Sequence, residues 1–312
     1  MKKKIVIALM ILVTLQLSAI KYAGEIFRIG AGVRNYALGH NGLTDTESSS
    51  IAYWNPALLS KIQGNNVEFM HSEEFNGLLK NDVISGSISN KYAITISRVA
   101  IDDIVLTKLE NEDDSLYYAN RPYAYKYTNN ADYIVFFGFS RKIKNIDFGI
   151  TPKIVYRSLA EKYGFGFGAN LSVFNKFNHF YSIGANLRNI STSQIFWENG
   201  TIETVNPSLD LENKFSFDLP LVGVSTKLFL GSEIYTDSRD FASMTNLGTF
   251  SIDWKFGSEF EILDNLDLLA GYYNHNLTAG FDLNISQFGI AYSFEMNHEL
   301  DNSHRVGIEY NF

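Results

Sequence analysis

His304-Arg305-Val306-Gly307-Ile308-Glu309-Tyr310-Asn311-Phe312 closes the chain on a strict alternation. Successive side chains of an extended strand point to opposite faces, so Val306, Ile308, Tyr310 and Phe312 share one side and Arg305, Gly307, Glu309 and Asn311 the other. One face suits oil and the other suits water. A soluble sandwich can produce this alternation, but a large aromatic at the carboxyl end is the habit of barrels in the bacterial outer membrane, whose assembly machinery reads a last strand closed by Phe. Tyr310 and Phe312 are therefore read as an assembly signal.

The same period of two runs back through the chain. Phe288, Ile290, Tyr292, Phe294 and Met296 oppose Gly289, Ala291, Ser293 and Glu295, while Ala279, Phe281, Leu283 and Ile285 oppose Thr278, Gly280, Asp282 and Asn284. Phe165, Phe167, Ala169, Leu171 and Val173 stand against Gly164, Gly166, Gly168, Asn170 and Ser172, and the pattern recurs at 181–187 and 133–139. A helix would scatter these faces around its axis. Weaker segments at 67–73, 83–89, 92–99, 146–156, 219–228, 230–236, 249–260 and 266–272 bring the tally to about 14 strands, with the register at 228–248 left open. Tight turns fall at 90–91, 144–145, 176–178 and 264–265, and longer connections at 100–130, 191–214, 237–246 and 297–303.

With 312 residues, 46% hydrophobic and 14% aromatic, the chain suits one large domain or two small ones. Mean hydropathy is close to zero, as expected when apolar residues alternate with polar ones. The 23 glycines and 5 prolines argue for closely packed strands and against a disordered, proline-rich chain. Cysteine is absent, which excludes disulfides and thiolate metal or redox sites.

Lys2, Lys3 and Lys4 precede the apolar run 5–17 and then Ser18 and Ala19, the pattern of an export signal spanning residues 1–19. The run is shorter than the ~20 residues a bilayer-spanning helix needs. Its removal takes the formal net charge from -8 to -11, so the mature chain is an acidic one with no affinity expected for nucleic acid. No later stretch is long and apolar enough for a helical span. Membrane insertion therefore requires a closed barrel, where every backbone group is satisfied between strands. The expected fold is all-β: a transmembrane antiparallel barrel over residues 61–312, surrounded by outer-membrane lipid and inserted by the outer-membrane assembly machinery.

Residues 20–60 do not alternate. They carry Gly30-Ala31-Gly32, Leu38-Gly39-His40-Asn41-Gly42 and Ala52-Tyr53-Trp54-Asn55-Pro56-Ala57. Pro56 forces Asn55 out of the helical region, and the Asn55 side chain can bond its own backbone, so a compact plug with a fixed bend is expected. A surface arm with a chance turn is the alternative.

Leu38-Gly39, the small and acidic run 45–50, and Tyr53-Trp54-Asn55-Pro56-Ala57, with Ala270-Gly271-Tyr272, Leu277 to Phe281 and Glu299-Leu300-Asp301 near the other end, resemble the PorV/PorQ group of outer-membrane barrels. That group is distantly similar to the FadL fatty-acid transporters. The resemblance implies a barrel of about fourteen strands with an N-terminal hatch in its lumen, and Trp54, Asn55 and Pro56 fall on the hatch motif. It further implies a component of type IX secretion or surface assembly that binds exported cargo. The alternative is a FadL-like barrel that admits hydrophobic small molecules. Leu58 stands where many members carry Gly, and the middle loops have no counterpart.

Other motifs point away from chemistry. Gly164, Gly166 and Gly168 lie at strand period, whereas a dinucleotide fingerprint opens a helix. Close strand packing explains them better. Glu110, Glu112, Asp113 and Asp114 lack the spacing of a calcium loop and read as a solvated loop. The six histidines form no close pair, so no metal, cofactor or catalytic site is expected. Tyr117, Tyr118, Tyr123, Tyr125 and Tyr127 suit either a partner or a girdle at the lipid interface.

Overall fold

A computed structural model describes residues 24–312 except 63, 111–119, 160–161, 191, 221–222, 240–241 and 298–299. The export signal expected at residues 1–19, the acidic residues 112–114, and Tyr117 and Tyr118 lie outside the described residues.

Among the described residues, seventeen strands form one sheet. They are β1 (Asn66–Glu74), β2 (Leu79–Ile88), β3 (Tyr92–Lys108), β4 (Tyr123–Ile143), β5 (Ile146–Leu159) and β6 (Lys162–Lys176). Then come β7 (Tyr181–Arg188), β8 (Ser193–Trp197), β9 (Ile202–Val205), β10 (Ser208–Asp218), β11 (Ser225–Tyr235) and β12 (Thr245–Leu247). The last are β13 (Phe250–Leu263), β14 (Leu266–Tyr273), β15 (Asn276–Ile285), β16 (Phe288–Met296) and β17 (Ser303–Asn311). Pairing is antiparallel throughout, and β17 returns to β1, with Asn66 opposite Asn311 and Glu73 opposite His304. The wall is closed.

β7 and β8 both pair with β6 and act as one interrupted wall strand, and β9 and β10 form the next in the same way. β12 is a short arm on β13. The closed antiparallel barrel thus has fourteen wall positions, as the alternation predicts. At the β7–β8 interruption, Ile190 N donates to Ala169 O, and the inward set shifts from Ser182, Gly184, Asn186 and Arg188 to Ser193 and Ile195.

The alternation sorts by side. On β17, Val306 and Ile308 are exposed outward while Ser303, Arg305 and Gly307 are buried inward. Phe288, Ile290, Phe165, Phe167, Phe137 and Phe139 also face out. Lipid contact at these positions takes the place of a soluble protein's outer core. Gly166 allows β6 to approach its neighbour: a Cβ there would stand 2.5 Å from the Gln194 carbonyl oxygen.

Short turns at 89–91, 144–145, 264–265 and 286–287 share one end with Asn65 and Phe312, whose backbones exchange hydrogen bonds of 3.1 and 2.9 Å. This is the periplasmic end in outer-membrane barrels. Phe177, Phe180, Tyr181, Phe215 and Phe217 gather there, as do Phe288, Tyr310 and Phe312. Rings settle at such interfaces.

Tyr310 lies 5.1 Å from the Phe288 ring and stacks at 5.7 Å on Phe312. Tyr310→Asp, or deletion of Phe312, is expected to lower the yield of membrane-embedded barrel, since each ring pair is worth about 1 kcal/mol and charge is unwelcome on this face. The measurement is the fraction of heat-modifiable protein on a cold gel. Undiminished yield from both variants would contradict it.

Three segment assignments change. The runs at 219–228 and 230–236, expected as two strands, contribute to one, β11, because Pro220 begins a turn that Gly223 closes through a 2.8 Å bond to Leu219 O. The expected loop 191–214 instead holds β8, β9 and the start of β10, where Asp210 and Glu212 point inward between outward Leu209 and Leu211. The expected loop 100–130 is mostly ladder: beyond Ala100 the β3–β4 pair leaves its other neighbours and continues as a free-standing hairpin.

Candidate functional site

Residues 24–61 are almost wholly buried and touch inward residues around the whole wall. Too short for a core of their own, they fold as a one-turn 3-10 segment (Glu25–Arg28), α1 (Val33–Ala37), α2 (Ile51–Trp54) and a second 3-10 segment (Pro56–Lys61). The barrel supplies the packing. Wall glycines admit the Leu38–Gly39 turn: a Cβ on Gly257 would sit 2.5 Å from Leu38 O, and one on Gly271 would overlap the Gly39 backbone. Gly39 itself has φ +65°, a conformation glycine adopts freely.

Trp54, Asn55 and Pro56 meet at the centre of this packing. Trp54 donates from Nε1 to Ala31 O at 2.7 Å, and its carbonyl accepts from Asn186 Nδ2 at 2.8 Å. Asn55 is extended at φ -158° because a proline follows it, and its Oδ1 accepts from Ala57 N at 3.0 Å. Its Nδ2 donates to Leu43 O at 2.7 Å and to Val173 O on β6 at 3.2 Å. The bend is thus tied to the segment and to the wall.

Two wall contacts escaped the sequence reading. Glu212, fully buried on β10, accepts from the backbone nitrogens of Gly42, Leu43 and Thr44 at 2.8, 3.0 and 2.8 Å and from Thr44 Oγ1 at 2.5 Å. Arg34 of α1 meets Asp45 at 3.0 Å, Glu47 at 2.8 Å, Asp267 and Asp282 at 3.4 Å each, and Glu259. Burial alone would lower the Arg34 pKa, but Asp45, Glu259 and Glu47 hold it well above its ordinary value. Burial pushes the Glu47 carboxyl up, yet Arg34 and Lys227 outweigh it and bring it down to about 2. The Tyr53 phenol is pushed up to about 12 by burial against the pull of Arg188.

More ion pairs line the far half of the lumen: Arg188 with Asp210 at 2.5 Å, Lys255 with Glu233 at 2.9 Å, and Arg305 between Glu74 and Glu295 at 2.5 and 2.8 Å. His40 stacks on Tyr273 at 4.3 Å and faces Glu295 at 3.5 Å. Breaking such a pair leaves a buried charge uncompensated, so these contacts fix position more than they add stability.

A polar cavity of about 580 Å³ opens at the end of the barrel that carries Asn65 and Phe312, lined by Glu47, Lys61, Lys227, Glu261, Asp264 and Glu309 among others. Glu47, Glu259 and Asp267 bring carboxylate oxygens within 4.8 Å of one another. Lys227 already bridges Glu47 and Glu259, and Arg34 contacts all three. On the outer wall, Phe69, Ile84, Ile96, Ile290 and Ile308 bound an apolar groove of about 990 Å³. Tyr123, Tyr125 and Tyr127 are exposed on the free-standing hairpin.

No family model and no curated protein matches the chain. Solved structures do. The Pseudomonas putida toluene transporter TodX aligns with a TM-score of 0.54 at 12% identity, covering 91% of this chain and 99% of that one. The Ralstonia pickettii toluene transporter TbuX gives 0.56 at 10% identity, covering 91% and 98%, and a Pseudomonas aeruginosa FadL homologue gives 0.51 at 9%, covering 90% and 98%. The chain has the fold of the FadL-type outer-membrane barrels. At this identity the likeness carries the architecture alone. It extends over nearly the whole length of each FadL-type barrel, whereas the residue-level resemblance to PorV/PorQ has no matching family model.

Proposed function

We propose that this chain is a gated outer-membrane barrel that admits small hydrophobic molecules without chemistry, with residues 20–60 as its hatch and Trp54, Asn55 and Pro56 as the bend on which the hatch is held. One observation carries the reading: an internal segment seated on hydrogen bonds and ion pairs, which can exchange partners, inside a wall that is itself fully laddered. The fold shared with toluene transporters supports it. Export by a signal at residues 1–19 and insertion through Tyr310 and Phe312 complete the proposal.

Toluene uptake by cells displaying the barrel is the test. Pro56→Gly frees the Asn55 backbone and is expected to change the uptake rate several-fold while the heat-modifiable band is retained. Uptake no faster than in cells lacking the protein would overturn the transport reading.

The second reading is a PorV/PorQ-like component of secretion or surface assembly that binds exported proteins. Favouring it is the free-standing hairpin, whose Ile101, Val105, Tyr123, Tyr125 and Tyr127 are exposed. Removal of residues 102–129 would then abolish cargo co-purification and leave toluene uptake unaffected.

A further inference from the structure

The outward face turns polar early on β1, β2 and β3. On β5 the outward set from Ile146 to Tyr156, and on β16 the set from Phe288 to Met296, carries no charge, matching the roughly nine to eleven residues with which a tilted strand crosses a bilayer. On β1 the apolar outward residues are only Val67 and Phe69, and on β2 and β3 the outward face stays uncharged only over 84–88 and 92–96. A charged row follows, in which His71 stands opposite Asp82, Asp82 opposite Arg98, and Arg98 opposite Tyr133. His71 Nδ1 lies 2.7 Å and Arg98 Nη1 3.0 Å from the Asp82 carboxylate, yet the His71, Asp82 and Arg98 side chains remain 49%, 42% and 37% exposed. The row is no isolated triad, because Glu73 and Lys80 come next on the same face and Lys80 meets Asp102 at 2.9 Å. It is the far edge of the apolar wall on this side. His71 is five residues from Asn66 and Arg98 six from Tyr92, which puts the row about 13–15 Å up the barrel axis, against an apolar band about 25 Å tall. Tilting the barrel does not hide the deficit, since raising this side would draw the exposed Ser89, Asn90 and Lys91 of the β2–β3 turn into hydrocarbon.

We propose that the bilayer thins against β1, β2 and β3, so that lipid head groups and their water descend to His71, Asp82 and Arg98, about 10 Å deeper than beside β5 and β16. A wall too short for its bilayer is met by local thinning at modest cost, whereas charge held on the lipid face near mid-depth is disfavoured. The groove of about 990 Å³ lies where this requires it: His71, Asp82 and Arg98 form its polar edge, and Phe69, Ile84, Ile96, Ile290 and Ile308 its apolar bed. Acyl chains occupy the bed, continuous with the rest of the lipid-facing wall. Head-group phosphate meets the Arg98 guanidinium, whose planar donors suit such oxygens. The inference follows from the wall alone and is independent of what the lumen admits.

The chain has no cysteine, so a single nitroxide can be placed cleanly on the full-length barrel in dioleoyl-phosphatidylcholine vesicles. Collision with a water-soluble nickel chelate, relative to collision with oxygen, then reads the depth of the label. Ile154 lies eight residues from Ile146 and Arg98 only six from Tyr92, yet the nickel-to-oxygen ratio is expected to be about threefold higher or more for Arg98→Cys than for Ile154→Cys. Ile84→Cys against Ile150→Cys, each four residues from its strand's end, leaves the row intact and carries the test if the Arg98 variant does not fold. Position 84 should show the higher ratio. Replacing the row by His71→Leu, Asp82→Leu and Arg98→Leu should raise the temperature at which the folded band is lost more in dioleoyl than in thinner dilauroyl vesicles. Equal ratios within both pairs overturn the proposal, as does a leucine variant whose gain is the same in the two lipids. A ratio at position 84 that falls as more protein is added per lipid puts a second copy on this face, and overturns it too.

Discussion

Replacing Arg34 with methionine is expected to loosen the interior segment by about 3–5 kcal/mol, the cost of leaving a buried ionic cluster without its cation. Methionine keeps the length and apolar stem of the side chain, so packing around α1 changes little. What disappears is the guanidinium that Asp45, Glu47, Glu259, Asp267 and Asp282 surround. Lys227 remains beside Glu47 and Glu259, while Asp45 loses the cation it pairs with. Limited proteolysis of purified barrel should show cleavage within residues 24–61 while the wall stays resistant. The defect should be greatest at neutral and alkaline pH and shrink as the pH falls, because a protonated carboxyl no longer needs a cation. Adding Glu259→Gln removes one orphaned charge and should restore part of the protection. Protection equal to that of the unaltered chain at neutral pH would show that Arg34 does not hold the segment.

The outer face of this protein was legible because lipid imposes one requirement on every outward position. Phe288, Ile290, Val306 and Ile308 declare their strands with no knowledge of neighbours. Inward positions answer to a different partner at each height. Gly257 and Gly271 yield space to Leu38 and Gly39, Glu212 serves three backbone nitrogens, and Lys255 serves Glu233. Where inward residues are charged, as at Asp210 and Glu212, the strand imitates a loop, which is why 208–214 was misread. Where a turn opens on apolar residues, as at Leu219 and Pro220, it imitates a strand. The two errors offset each other in the tally of fourteen, so the number alone was a weaker success than the sidedness.

The same contrast divides the candidate site. The Asn55–Pro56 bend is visible in sequence because proline acts on the residue beside it. Arg34 is invisible because three of its partners, Glu259, Asp267 and Asp282, lie 225 to 248 positions away, and only closure of the barrel brings them to it. Local backbone rules reveal where the segment bends but not where it is held.

Glu212→Ala should release the turn at residues 42–44, the second large effect. In the native chain one carboxylate satisfies three buried N–H groups and the Thr44 hydroxyl. Each donor left without an acceptor costs about 1–3 kcal/mol, more when the acceptor was charged, and water entering the vacated space would recover part of it. The expected net loss is several kcal/mol, concentrated in one turn. Glu212→Gln should be intermediate, because its carbonyl oxygen can take some of these donors while its amide nitrogen faces others. Amide exchange provides the measurement: protection at Gly42, Leu43 and Thr44 should fall steeply, with the β10–β11 ladder unaffected. Lys214, whose Nζ donates to Thr44 O at 2.7 Å, keeps one tether on the same turn. Glu212→Ala combined with Lys214→Met should therefore cost more than the two changes separately, since each tether limits the motion that the other's loss permits. Unchanged protection at these three amides in Glu212→Ala would mean that the turn is held by its packing against Gly184 and the neighbouring wall, and that the carboxylate is not its anchor.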